Sequence, residues 1–316
     1  MKLLFRLLLF CVPICAAFSC GRGDYAVFSG YAQGGTYTVK VNMKGVQASR
    51  GEVAEAIAAI LEEVDTTLSG YNRSSLLSRF NAGESVEKSP LFLRAEELSE
   101  HYRQLTDGAF DAGAAPLFDL WGFGFRSGDF PSERDVREAM DRCAQRKTLN
   151  FNAIAQGLTC DLIASYLKGA GVNDMLVDIG EIWCCGLNPR GEGWAIGIDT
   201  PEDGNDTPGA SLSGVWRSDG GACGVVTSGN YRKYYIKDGV KYAHTIDPRT
   251  GYPVQHSLLS ATVVAPTAAE ADALATFFMV VGEDCAREWV LSHEDIEACL
   301  ISSGGKWTSP GFLISE

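Results

Sequence analysis

Positive charge is scarce in this chain: 27 Lys and Arg stand against 40 Asp and Glu, for a formal net charge of −13. Binding to nucleic-acid phosphates needs concentrated basic surface, so no nucleic-acid partner is expected. Bilayer-length apolar runs are missing too. The run at residues 3–18 is broken by Arg6 and falls short of the ~20 residues a spanning helix needs. No Cys/His cluster has zinc-site spacing. Internal repeats, low-complexity blocks and long Pro/Ser linkers are absent, which excludes solenoids and leaves no boundary at which to cut the chain. The ten cysteines also lack a framework. Cys11 and Cys15 fall in an export signal and Cys20 in a lipidation site. The remaining seven are odd in number and irregular in spacing, which argues against a disulfide scaffold and reads as buried free thiols. Cys184 and Cys185 are adjacent on an expected strand, so their side chains point to opposite faces.

What is present begins with an export pattern. Lys2 and Arg6 precede an apolar run at residues 7–14, and small residues lead to Ser19-Cys20. Residues 1–19 read as a signal peptide, with Cys20 the lipidated first residue of a bacterial lipoprotein. Ala17-Phe18-Ser19 departs from the usual residues before such a Cys, so secretion without lipid stays open. Residues 20–33 read as a tether and 34–316 as the functional domain, on the periplasmic side of a bacterial membrane. Apolar residues at 46% and charged residues at 21% suit a globular domain with a sizeable core.

Hydrophobic periodicity predicts a strand over 34–42, then helices over 52–68, 74–80 and 91–105. Another helix is predicted over 131–143, and a strand at 148–151 running into a helix at 154–169. Strands follow at 174–183, 194–198, 211–215, 223–227, 234–236 and 259–264, with helices at 268–281 and 285–291 and a short strand near 299–301. Helices first and strands later predict an α+β fold: a single domain with a mainly antiparallel sheet core flanked by helices.

The most informative segment is the helix at 268–281. Thr267 and Glu270 have capping-box spacing. From 271 to 281 only Asp272 and Thr276 are polar, one turn apart on one face. A helix apolar on all sides is buried, and a buried carboxylate needs a cation or strong donors. A carboxylate and a hydroxyl at this spacing suit Mg²⁺ completed by a carbonyl, waters and phosphate oxygens. The structural alternative is that Asp272 caps a neighbouring backbone and Thr276 bonds back to the Asp272 carbonyl.

Three further segments carry polar groups at turns. In residues 243–253, Asp247-Pro248 with Gly251 is a turn signal, and His244, Asp247 and Arg249 are concentrated beside it, downstream of Thr227-Ser228-Gly229. His244 alone could be a structural residue. Residues 149–157 lead a predicted strand into a helix whose N-terminus favours phosphate. Tyr71, at a helix exit after Leu68-Ser69, could stack on a flat ring or pack in the core.

Taken in order, these segments resemble the FAD:protein FMN transferase family of the ApbE type, from about residue 34 to residue 300. The markers are Gly35-Thr36-Tyr37, Leu68-Ser69-x-Tyr71-Asn72, Gly108-Ala109-Phe110-Asp111, Trp121-Gly122-Phe123-Gly124 and Ala153-Ile154-Ala155-x-Gly157. Thr227-Ser228-Gly229, His244-x-Ile246-Asp247-Pro248 and Ala271-Asp272-Ala273-x-Ala275-Thr276 complete the set. The resemblance implies a flavin-binding cleft and Mg²⁺-dependent transfer of FMN from FAD to a Thr or Ser hydroxyl of an acceptor protein, releasing AMP. It implies Tyr71 on the isoalloxazine, and Gly34, Ala109, Phe110, Asp111, Asn150, Gln156 and Ile246 around FAD. The metal would be held by the Ala153 carbonyl, Asp272 and Thr276. Gly34 stands where Met is usual, Asn150 where Asp is, Asn152 where Gly or Ser is, and Gln156 where Lys is. The last removes a cation from the nucleotide side.

Candidates for the base that takes the acceptor proton are His244 and Asp247. The expected acceptor is an exported redox-complex subunit, met at the membrane through lipid on Cys20. Two alternatives remain: an FAD pyrophosphatase giving FMN and AMP, and a non-catalytic flavin-binding lipoprotein.

Overall fold

The computed structural model describes residues 24–123, 130–205, 207–231 and 234–315. The export segment, Cys20 and Gly124 lie outside the described residues. No helix among the described residues is long and apolar enough to cross a membrane.

The chain opens with a hairpin in which β1 (Tyr25–Ala32) pairs along its whole length with β2 (Gly35–Asn42). Residues 25–32 are therefore sheet, which corrects the reading of 20–33 as a tether. As an edge strand, β1 fully buries only Ala26 while Val27 and Tyr31 are exposed, so it lacks the alternating apolar signature. Gln33 and Gly34 both take positive φ, 51° and 83°, the conformation of a tight two-residue hairpin turn.

Next come α1 (Arg50–Leu68), α2 (Leu76–Asn81) and α3 (Pro90–Leu105), each started by a serine side chain that accepts a backbone N–H: Ser49, Ser75 and Ser89. α4 (Ala115–Leu120), α5 (Glu133–Ala144) and α6 (Ala155–Gly169) follow. Residues 148–151 form no strand, contrary to expectation. Asn150 N–H instead makes a single bond to the Ala112 carbonyl, 2.8 Å.

The predicted strand at 174–183 is two, β3 (Met175–Asp178) and β4 (Ile182–Cys185), separated by a turn at 179–181. Then come β5 (Ala195–Asp199), β6 (Leu212–Arg217), β7 (Cys223–Gly229), β8 (Tyr234–Lys237) and β9 (Val240–Ala243). The two-residue strands β10 (Ile246–Asp247) and β11 (Tyr252–Pro253) form a small hairpin. β12 (Leu258–Ala265), α7 (Ala268–Val281), α8 (Glu283–Leu291), β13 (Glu297–Ser302), β14 (Gly305–Thr308) and β15 (Ile314–Ser315) complete the chain.

Eight strands form one sheet in the order β1-β2-β3-β4-β7-β12-β13-β14, and every neighbouring pair is antiparallel. Side chains alternate across it. Met175, Val177 and Cys185 face α1 and α6, whereas Leu176, Cys184 and Val225 face the small sheet β15-β6-β5 through Trp194, Ile196 and Trp216. The architecture is α+β, with α7 at the junction of the layers. Ala268 joins the α1–α6 core, Ala269 and Ala273 the α1–α3 core, and Leu274 and Phe278 the core beneath β12 and β13.

Candidate functional site

The crossing of α6 and α7 positions the site. α7 is alanine-rich over residues 268–275 and buries almost its whole circumference, Asp272 included at 4% exposure. Its start is held more firmly than the capping-box spacing suggests. Thr267 Oγ1 accepts from Glu270 N, 3.1 Å, and the two N–H groups between them are capped from α6. There Asp161 accepts from Ala268 N and Ala269 N, both at 2.9 Å. Gly157 permits the close crossing: a Cβ there would sit 2.3 Å from the Ala268 carbonyl oxygen.

This approach brings the Asp272 carboxylate onto the first turn of α6, where Oδ2 accepts from Gly157 N at 3.1 Å. That N–H is the one a continuous helix would donate to the Ala153 carbonyl. Phe151 and Ile154 carbonyls have their partners, Ala155 N at 2.8 Å and Leu158 N at 2.9 Å, but the Ala153 carbonyl has no backbone donor among the described residues. Thr276 does not bond back to the Asp272 carbonyl, although Thr159 and Thr106 make the equivalent bond to Ala155 and Tyr102, at 2.6 and 2.7 Å. The structural alternative for Thr276 is thereby excluded. For Asp272 the capping role holds for one oxygen.

Acidic side chains accumulate here. Burial pushes the Asp272 carboxyl up to about 7, opposed by the Gly157 N–H and reinforced by Asp161. Burial, with Asp272 next in weight, also pushes Glu181 well above the usual range. Asp178 is raised by burial despite a 3.1 Å bond from Gly180 N and the influence of Lys40. A cation suits such a place. Among the described residues no three His, Cys, Asp or Glu side chains converge on a metal-holding point. Asp272 could hold a cation here, with the Ala153 carbonyl and Thr276 hydroxyl as neutral oxygens. That donor set suits Mg²⁺, which keeps several positions for water and phosphate.

Several expected flavin contacts have their side chains committed elsewhere. Ala109, Phe110 and Ile246 are buried in the core, so only their backbone can meet a ligand. The Asp111 carboxylate accepts from Gly113 N and Arg146 Nη1, each 2.8 Å. Asn150 Oδ1 accepts from Asn152 N at 2.9 Å. Gln156 Nε2 donates to the Ile179 carbonyl at 3.0 Å, tying α6 to the β3–β4 turn rather than extending toward solvent. Gly34 lies in the β1–β2 turn, which reaches α6 through Gln33 Nε2 and Thr159 Oγ1 at 2.8 Å. Tyr71 is 67% exposed on the α1–α2 connection, where Ser69 Oγ accepts from Tyr71 N and Asn72 N at 3.3 and 3.1 Å. Core packing of Tyr71 is thus excluded.

On the turn after β9, the Asp247 carboxylate is gripped by Arg249, Nε to Oδ1 and Nη2 to Oδ2 both at 2.9 Å. Both oxygens of this carboxylate are thus already engaged by Arg249. His244 instead sets its ring edge-on to Phe123, centroids 6.3 Å apart. Phe123 stacks on Tyr235, Tyr235 on Tyr242, and Tyr242 on Trp121, whose Nε1 donates to the Gly251 carbonyl at 2.8 Å. No sequence motif marks this aromatic ladder as a unit, nor Asp161 or Glu181. Only the aromatic density of 116–125 signalled any of them. A hollow of about 410 Å³ beside Leu291, Trp307 and Phe312 shares no residue with the site.

The overall fold is shared with solved flavin transferases. The structure is similar to flavin transferase ApbE from Vibrio cholerae, with a TM-score of 0.79 and 30% identity, over 92% of this chain and 99% of that one. It is similar also to the flavinyl transferase ApbE of Pseudomonas stutzeri, with a TM-score of 0.78 and 30% identity, over 90% of this chain and 95% of that one. The chain belongs to the ApbE family, whose model matches residues 34–300. An FAD:protein FMN transferase of Haemophilus influenzae is 34% identical over 288 residues, 82% of each chain.

Proposed function

We propose that this chain is an FAD:protein FMN transferase that moves FMN from FAD to a Thr or Ser hydroxyl of an acceptor protein and releases AMP, with Mg²⁺ held by the Ala153 carbonyl, Asp272 and Thr276. The observation that carries the metal reading is Asp272. It is buried, has no cationic partner among the described residues, and takes the N–H that would otherwise cover the Ala153 carbonyl. Similarity over most of the chain to proteins named for this reaction supports the transfer.

In this reading the acceptor hydroxyl oxygen attacks the FMN phosphorus, the bond to the bridging oxygen breaks, and AMP leaves. His244 takes the hydroxyl proton, because Asp247 is held by Arg249. Tyr71 lies along the isoalloxazine, and the backbone of 109–111 and of Ile246 lines the cleft. The N-terminus of α6 favours the pyrophosphate. Bound Mg²⁺ would neutralise charge on the transferring group and on the leaving AMP. The acceptor is an exported redox-complex subunit, reached from a lipid anchor on Cys20. Support for that location is the basic and apolar pattern of residues 1–20.

The purified protein is incubated with FAD, Mg²⁺ and a candidate acceptor domain, with AMP and acceptor mass followed together. Equal AMP release and acceptor modification is expected. AMP release with an unmodified acceptor would make the protein an FAD pyrophosphatase, and tight FAD retention with no AMP would make it a binder.

A further inference from the structure

The cysteines are irregular in sequence, but the fold brings two of them together. Cys184 on β4 and Cys223 on β7 are 39 positions apart and stand as direct cross-strand partners, with their sulfurs 3.8 Å apart. Directly opposed residues of an antiparallel pair have Cα atoms about 4.5–5.5 Å apart, inside the range a disulfide spans. Each other cysteine on these strands or nearby is turned elsewhere. Cys185 points to the opposite face and donates to the Asn173 carbonyl at 3.1 Å, and Cys160 donates to the Glu181 carbonyl at 3.1 Å. No other pair of sulfurs is in hydrogen-bond contact among the described residues.

We propose that Cys184 and Cys223 are a disulfide-forming pair, a covalent staple between β4 and β7 at the centre of the main sheet. Cys184 is wholly buried, whereas Cys223 is partly exposed at the start of its strand and offers the point of entry. Exposure also sets the order of events. Either thiol can donate to the other, and Cys223 is the one that a carrier can reach. Cys223 as thiolate attacks a protein or small-molecule disulfide, forming a mixed disulfide and releasing one thiol of the carrier. Cys184 then loses its proton and attacks the Cys223 sulfur, displacing the second carrier thiol. One S–S bond forms, one breaks, and the carrier is reduced to two thiols.

The staple lies beside the site. Gly224, next to Cys223, is pressed so closely on the first residue of α7 that an added Cβ would be 2.3 Å from the Ala268 Cα. The staple would therefore fix the strand on which the Asp272 helix starts.

The test treats the folded full-length protein with oxidised glutathione, blocks free thiols under denaturing conditions, and maps non-reduced tryptic peptides. Residues 169–190 are expected joined to 218–232. Because the first peptide holds both Cys184 and Cys185, variants assign the bond. Cys185→Ser is expected to keep the link, and Cys184→Ser and Cys223→Ser to lose it, while the oxidised wild type gains several degrees in Tm over its reduced form. Full alkylation of both peptides in the treated protein, or a link that survives Cys184→Ser, would overturn the proposal. Cys223→Ser alters a partly exposed position, so it reports even if Cys184→Ser fails to fold.

Discussion

Replacing Asp272 by Asn should stabilise the metal-free protein at neutral pH and destroy its response to magnesium. Asn keeps the shape and an oxygen for the Gly157 N–H but cannot ionise. The Asp272 carboxyl titrates at about 7 in the fold against 3.8 unfolded, a difference of about 3 units. At 1.36 kcal/mol per unit this amounts to on the order of 4 kcal/mol. The folded value lies above the unfolded one, so the contribution of this group to stability is fully present below pH ~4 and is lost as pH rises toward 7. In EDTA, wild type should therefore fall progressively below Asp272→Asn between those pH values, by on the order of 10 °C in Tm at pH 8. Magnesium should close most of this gap. A cation present at 100 times its Kd stabilises by about 2.7 kcal/mol, and only wild type has the ionised carboxylate to bind it. The assay is thermal unfolding from pH 4 to 8 with EDTA or with MgCl₂. Parallel pH curves for the two proteins, or equal responses to magnesium, would refute the reasoning.

Other predictions test neighbouring parts of the account. Gly157→Ala drives a methyl toward the Ala268 carbonyl, 2.3 Å away, and should cost about 1–3 kcal/mol by denaturant unfolding while weakening magnesium-induced stabilisation. Asp161→Ala leaves the Ala268 and Ala269 N–H groups without their cap and should cost about 2 kcal/mol, with the loss of protection from amide exchange concentrated at the start of α7. His244→Asn should lower the transfer rate ~10²–10⁴-fold with FAD binding retained. Asp247→Asn should lower it less and keep the pH–rate profile, whereas the reverse order would move the base to Asp247.

The helix at 268–281 was legible to the residue because its start, its apolar circumference and Gly282 at its end all agree. Its polar pair stood out for the same reason. What makes that pair a candidate site cannot be read from it, since the Gly157 N–H leaves the helix ladder for Asp272 only because two distant helices cross. Asp161 was hidden likewise: on α6 it looks like any solvated acid, and its role depends on a helix start 107 residues away. The β1 edge strand was missed because one fully buried residue makes no pattern, and the β3–β4 turn because apolar residues continue through it. Motif order points to Asp111, Asn150 and Gln156 as candidates, but only the fold reveals that their side chains already hold backbone or Arg146.

The most direct test of the central claim, FMN transfer supported by Asp272, follows the intact mass of an acceptor domain incubated with FAD and either wild type or Asp272→Asn, with MgCl₂ or with EDTA. The account predicts a gain of one FMN less one water on a single Thr or Ser, with wild type and MgCl₂ only. An unmodified acceptor with wild type, or equal modification by Asp272→Asn, would contradict it.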